Sequence, residues 1–255
     1  MTGAEDGLRD DQWERVKDLL PGGRKGKRGP RLQNRLFLDA ILWFARSGGR
    51  WKDLPERFGQ SDTIKRRYYR LVDRGVFDQI LDRLAQDADL EWLMIDSTIV
   101  RAHHRAAGAR LTKGGPAAQG LGRSRGGLST TIHAAVDAHG NPVRLIGGPG
   151  QEHDLAKAGA LIAGFPAEFT LADKGYDGDP LCDAITAQGS EVVIPPRRGR
   201  THPRSYDKDL YKERNVIERF FARLKDFRRV ATRYDKLLKN YMGFVTLAAI
   251  AIWLR

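Results

Sequence analysis

Cysteine is almost missing from this sequence: Cys182 stands alone among 255 residues. A single thiol excludes an internal disulfide framework and any multi-cysteine zinc site. It fits a reducing compartment. A run of membrane-spanning length is also lacking. The longest predominantly apolar stretch, Tyr241 to Leu254, has 14 residues, against the roughly 20 a bilayer helix needs. It reads as a buried terminal helix, and no membrane partner is expected. The first residues, MTGAEDGLRDD, are acidic and polar, unlike a secretory signal. A cytoplasmic, nucleoid-associated protein is expected. There is no internal repeat.

Negative charge is unevenly absent. Residues 101–125 carry six basic side chains and no acidic one. Residues 197–239 carry 15 basic and six acidic. The segment 126–196 reverses this, with three basic and nine acidic. The formal net charge is +12, which points to a polyanionic partner. An acidic centre between basic flanks suits a site that binds cations beside a phosphate backbone. The hydrophobic share, 41%, is enough for a packed core.

Residues 1–90 read as helical. Segments 10–20, 32–47 and the stretch WKDLPERFGQSDTIKRRYYRLVDRG carry helical periodicity broken by Pro21, Gly48–Gly49, Gly59 and Gly75. Between the first two lies a basic, glycine-rich linker, GGRKGKRGPR. Two short helices around Gly59 resemble a helix-turn-helix, whose second helix reads a major groove. A plain structural bundle is the alternative. The second helix, capped by Ser61 or Asp62, is expected to present Lys65, Arg66, Arg67 and Arg70, with Ile64, Tyr68 and Leu71 inward. Trp43 and Trp51 read as core rather than base-stacking residues.

From Glu91 the texture becomes apolar and β-branched. WLMIDSTIVRA reads as a strand, and GLSTTIHAAVDAHGNPVRLIGG as two strands joined at His139–Pro142. Then come a helix, the strand FTLADKGY, a helix, the strand EVVIPP and terminal helices. The fold class expected is mixed α/β for residues 91–255, preceded by an all-helical DNA-binding region at 1–90. Residues 106–127 are of low complexity and are expected to be mobile without a partner.

The stretch YKERNVIERFFARLK, Tyr211 to Lys225, is amphipathic. At about 100° per residue, Arg214, Glu218 and Lys225 fall within about 60° of Tyr211. The apolar set Val216, Ile217, Phe220 and Leu224 lies on another face. The ordinary alternative is a solvated stripe with an i,i+4 Arg214–Glu218 pair. Two further carboxylates change the weighing. Asp96 sits inside one apolar strand and Asp173 ends another. A carboxylate in such a setting must be hydrogen-bonded or hold a cation. Two strand carboxylates and a helix glutamate could together hold two Mg²⁺ or Mn²⁺ ions about 3.5–4 Å apart for phosphoryl transfer.

Asp96 in IDST, Asp173 in ADKGYD and Glu218 in the helix resemble the Asp-Asp-Glu (DDE) triad of bacterial insertion-sequence transposases, most closely the insertion-sequence-five family. The Tyr-x2-Arg-x3-Glu-x6-Lys signature of that family is matched at every position. GRSRGGLSTTIHAAVDAHGNP, GPGQEHD, VIPPRR and RRVATRYDK also look like it. The resemblance implies a ribonuclease H-like catalytic domain at 91–255. It implies Asp96, Asp173 and Glu218 as catalytic metal ligands for two divalent ions. Arg214 and Lys225 are implied to bind phosphate near the element's end, with Tyr211 positioning that DNA. The implied partners are double-stranded terminal inverted repeats and target DNA, held by a homodimer or larger synaptic assembly. A metal-dependent endonuclease on the same fold, or a catalytically silent DNA-binding repressor, are the alternatives. Lys174, Arg101, His103, Arg123 and Arg125 are further candidates for DNA contact. His153 and Asp154 could line the rim of the site.

Overall fold

The computed structural model describes residues 7–22, 34–109, 114–115 and 117–255. Most of the basic linker at 22–31 and part of segment 106–127 lie outside the described residues. The chain forms helices α1 (Asp10–Val16), α2 (Asn34–Ser47), α3 (Ser61–Asp73) and α4 (Val76–Leu84) before the first strand. Then follow β1 (Trp92–Ala102), β2 (Gly122–Ser124), β3 (Gly127–Val136), β4 (Pro142–Pro149), α5 (Leu155–Ile162), β5 (Phe169–Leu171), α6 (Asp179–Ala187) and β6 (Glu191–Val193). The chain closes with α7 (Lys208–Lys212), α8 (Asn215–Lys225), α9 (Arg228–Ala231), β7 (Thr232–Arg233) and α10 (Leu238–Trp253).

The sheet is mixed. β1 pairs antiparallel with β3, which pairs antiparallel with β4. On its other edge β1 pairs parallel with β5, and β5 with β6. Strand alternation sorts the side chains into two cores. Leu93 and Ile95 pack with Ala158 and Leu161 of α5 and Ile185 of α6. Met94, Ala134 and Leu171 point the other way, toward Ile217 and Phe220 of α8 and Phe244 of α10. The β3–β4 turn forms at the expected Gly140. This residue has φ +78°, and a Cβ there would lie 2.8 Å from Val216 Cγ1. The Asp137 carboxylate ties this turn by accepting from the amides of His139 and Asn141 at 3.0 and 2.8 Å.

The N-terminal helices share this second core. The Tyr68 ring of α3 stacks on Phe244 of α10 at 4.3 Å, and its hydroxyl donates to the Asn240 carbonyl at 2.7 Å. Phe44 of α2 stacks on Trp51 at 4.1 Å. Gln12 of α1 donates to the Leu254 carbonyl at 2.9 Å. Gly243 lets α10 and α3 meet, because a Cβ there would stand 2.5 Å from Val72 Cγ2. The segment before α3 is a three-residue 3-10 turn, Glu56–Phe58, rather than a full first helix. No side chain caps α3; Gln60 holds the cap position. β2 and β7 are two short strands that periodicity did not signal. Among the described residues no helix is long and apolar enough to cross a membrane.

Candidate active site

The pairing of Met94 with Leu171 sets the register between β1 and β5. Two residues on, Asp96 in the middle of β1 comes level with Asp173, just beyond the C-terminal end of the parallel neighbour β5. The side chain of Asp96 is 18% exposed. Its Oδ1 accepts from the Ser97 amide at 2.8 Å, and its Oδ2 from Arg214 Nη1 at 2.8 Å. Burial pushes its pKa above the usual carboxylate range, and the Asp173 charge pushes the same way against the pull of Arg214. Asp173 Oδ1 accepts from the Gly175 amide at 2.7 Å. A Cβ at Gly175 would stand 2.7 Å from that same oxygen, so the close approach needs glycine.

The other carboxylate comes from α8. Arg214 sits at the start of this helix and bridges the cluster: Nη1 meets Asp96 and Nη2 meets Glu218 Oε1 at 2.5 Å. Glu218 is 58% exposed. Lys225, two turns on, donates to Thr98 Oγ1 at 2.6 Å. Thr98 lies two residues beyond Asp96, so α8 runs along β1. Burial lowers the Lys225 pKa. Tyr211 stands on α7, its ring edge against Tyr206 at 5.6 Å and 5.9 Å from the Arg214 guanidinium. The continuous helix expected from Tyr211 to Lys225 is divided here. The amides of Glu213, Arg214, Val216 and Ile217 each bond three residues back, tightening the turn between α7 and α8.

A second polar group lies on the opposite face of β1. Ser97 Oγ hydrogen-bonds Asp154 Oδ1 at 2.5 Å. His133, opposite Ser97 in the β1–β3 register, is fully buried with Nε2 3.4 Å from Glu152 Oε2. Burial lowers its pKa against the pull of Asp154 and Glu152. The Tyr176 hydroxyl is buried beside Ser97 without a hydrogen bond of good geometry, and burial raises its pKa strongly. Sequence reading missed Ser97, Thr98, His133, Glu152 and Tyr176. Only the proximity of Ser97 and Thr98 to Asp96 was available as a signal. Asp154 joins this group; His153 is exposed.

The other candidates scatter. Lys174, Arg101, Arg123 and Arg125 are exposed. His103 is half-buried, its ring tilted against Tyr234 at 4.9 Å. On α3, Arg66 and Arg70 are exposed and Lys65 is half-buried. Arg67 departs from expectation. It is buried, bonded through Nη2 to Asn34 Oδ1 and stacked on Phe37 at 4.2 Å. The α3 face it occupies packs on α2, so its charge is held inside the fold.

A family profile described as transposase DDE domain matches residues 87–254. This chain belongs to the DDE transposase family. A second profile, for transposases of the IS4/5 family, matches residues 8–81 of the transposase. A protein of Brucella ovis described as a transposase for insertion sequence element IS6501 is 39% identical over 132 residues, covering 50% of this chain and all of the relative. The uncharacterized protein y4sN of Sinorhizobium fredii is 71% identical over 110 residues, 43% of this chain and 88% of the relative. A protein of Burkholderia cepacia described as a transposase for IS402 is 28% identical over 132 residues, 47% of this chain and 60% of the relative. No solved structure matches the transposase.

DDE domains in general depend on divalent metal. Among the described residues, no three His, Cys, Asp or Glu side chains gather closely enough to hold an ion. Two features nonetheless suit a hard cation. Burial raises the Asp96 pKa, and the nearby Asp173 charge adds to the rise. A guanidinium already fills the gap between Asp96 and Glu218. The place is built for positive charge, and its donors are carboxylate oxygens.

Proposed function

We propose that this transposase cuts the ends of an insertion sequence and joins the freed 3′-hydroxyls to target DNA. The reading is carried by one observation. Asp96 on β1, at the level of Asp173 beyond β5, meets the α8 signature residue Arg214, which also holds Glu218. The strand order β4-β3-β1-β5-β6, antiparallel then parallel, supports a ribonuclease H-like domain. Residues 91–255 would form it, with 1–90 recognising the terminal inverted repeats.

Asp96, Asp173 and Glu218 would hold two Mg²⁺ or Mn²⁺ ions. When bound, these activate the attacking oxygen and stabilise the leaving one. The chain's own part is positioning. Arg214 presents a planar fork suited to a phosphate. Exchanging its carboxylates for a DNA phosphate would free Asp96 and Glu218 together. Lys225, beside Thr98, would fix the next phosphate as a point charge. Tyr211 would brace the DNA at the mouth of the site. Exposed Arg66 and Arg70, with Lys65, would bind the repeat, and Arg101, Arg123, Arg125, His103 and Lys174 the flanking backbone. Two ends must be brought together, so a dimer or larger assembly on DNA is expected.

The test is a strand-transfer assay with labelled inverted-repeat DNA and a supercoiled target. The parent is expected to yield joined products that need Mg²⁺ or Mn²⁺, and Asp96→Ala none. Nicking without joining would favour an endonuclease. An Asp96→Ala variant as active as the parent would end the assignment.

A further inference from the structure

A cleft of about 840 Å³ opens where α3 faces the chain between β7 and α10. It lies beyond the far end of β1, apart from the carboxylates. Trp51 and Tyr69 form part of its wall, and Tyr234 stands at its rim. Tyr234 is 37% exposed; it and Ile99 are the exposed large hydrophobics among the described residues. Its ring is backed by His103 at 4.9 Å, which in turn packs tilted against His104 at 4.0 Å. The Arg229 guanidinium lies over the same ring at 5.4 Å, so Tyr234 is held in place by His103 and Arg229 while more than a third of it stays open to solvent.

The charge of the cleft is lopsided. Five basic and two acidic side chains line it. The two acids are already matched, Asp73 by Lys239 at 2.5 Å and Asp235 by Arg229 at 3.1 Å. Lys65, Arg105 and Lys236 have no carboxylate partner among the described residues. Lys236 Nζ reaches only the Gly108 carbonyl, at 3.3 Å. Three uncompensated cations around one exposed aromatic ring call for a ligand with both anionic groups and a flat face.

We propose that this cleft is a subsite for unpaired DNA. Tyr234 stacks a base, and Lys65, Arg105 and Lys236 hold the adjoining phosphates. A duplex about 20 Å across does not fit 840 Å³, whereas one or two extruded nucleotides do. β1 also sets a distance. Asp96 and Ala102 are six residues apart on one strand, or about 20 Å. That corresponds to about six nucleotides at 3.4 Å each. The register, though not the cleft itself, rests on Asp96 marking the cleavage point.

The test measures binding alone, so failure of the catalytic reading leaves it intact. Fluorescein-labelled oligo-dT of eight nucleotides is titrated with the full-length protein and followed by anisotropy, beside an eight-base-pair duplex. Tyr234→Ala is expected to weaken oligo-dT binding about tenfold, and Tyr234→Trp to retain it. Arg105→Ala and Lys236→Ala should each reduce the salt slope by about 0.7. Duplex binding should change less than twofold in all four variants. The proposal is overturned if Tyr234→Ala binds oligo-dT like the parent. It is equally overturned if duplex and oligo-dT binding fall in step, or if Tyr234→Trp loses as much as Tyr234→Ala while melting like the parent.

Discussion

Replacing Asp96 by Asn should abolish activity and yet make the protein more stable. Asp96 is 18% exposed, and burial is the main reason its pKa is raised. The sign follows from linkage. A carboxyl whose folded pKa lies above its unfolded value stabilises the fold fully when protonated, below the unfolded pKa. That contribution is lost as pH rises through the folded pKa. At neutral pH the charge therefore works against folding. Asn has the same shape but one acceptor oxygen, whereas Asp96 uses both of its own, Oδ1 for the Ser97 amide and Oδ2 for Arg214 Nη1, each at 2.8 Å. What it loses is one of those two hydrogen bonds, an attraction that burial and the Asp173 charge already outweigh in the raised pKa. What it gains is relief from burial and from the Asp173 charge. The net expected is about 1 kcal/mol of stabilisation, within the usual range for relaxing a functional site. For a chain of this size that is about 3 °C in Tm. Glu218→Gln is the internal control. Glu218 is 58% exposed, so its Tm should move by less than about 0.5 kcal/mol equivalent while activity is also lost. Scanning calorimetry at pH 7 and pH 5 reads both variants. The Asp96→Asn advantage should shrink at the lower pH, where the parent carboxyl is closer to protonation. If Asp96→Asn melts below the parent at pH 7 while Glu218→Gln does not, burial does not govern the Asp96 charge and this reasoning fails.

Arg233 is fully buried, and its guanidinium donates to the carbonyls of Asp235, Gly120, Gln119 and Lys236 and to Thr130 Oγ1. Arg233→Met strands those acceptors and should destabilise by about 3–5 kcal/mol in urea unfolding; an unchanged midpoint would show that water replaces the guanidinium. Arg67→Met should lower stability by about 1–2 kcal/mol through Asn34 and Phe37 without changing DNA affinity, whereas Arg66→Ala should do the reverse, and gel-shift and melting measurements separate them. Gly243→Val should cost about 1–3 kcal/mol by forcing α10 off α3, read as earlier thermal unfolding. Lys225→Ala should reduce strand transfer more than DNA-free stability, and a variant with normal kinetics would remove Lys225 from the phosphate path.

Much of this architecture can be read from residue order because local patterns agree with the fold. The β1 strand announces itself by a β-branched run, and the β3–β4 turn by His139-Gly140-Asn141-Pro142, where only glycine reaches φ +78° easily. The strip from Tyr211 to Lys225 is legible as a polar face. Its division into α7 and α8 is not, because the turn at 213–214 depends on three-residue hydrogen bonds that leave no compositional mark. Arg67 is misplaced by sequence reading because a cationic side chain on a basic helix looks exposed until its neighbour in space, Asn34, is known. His133 and Tyr176 are invisible for a similar reason. Each is an ordinary residue in its own segment; sheet register sets His133 opposite Ser97, and the turn after β5 carries Tyr176 to the same side chain. β7 is two residues long, and the three residues of β2, Gly-Arg-Ser, lack the apolar, β-branched character that marks the equally short β5 and β6.

The packing of Tyr68 and Phe44 against Phe244 has a genetic corollary. The wall against which the amino-terminal helices fold is supplied by codons far downstream of their own. A premature stop or frameshift ahead of residue 238 would leave those helices with a bare greasy side, and a natural decoy that occupies repeats without cutting them could not easily arise by simple shortening. Late nonsense lesions should thus behave as clean knockouts, not as dominant inhibitors.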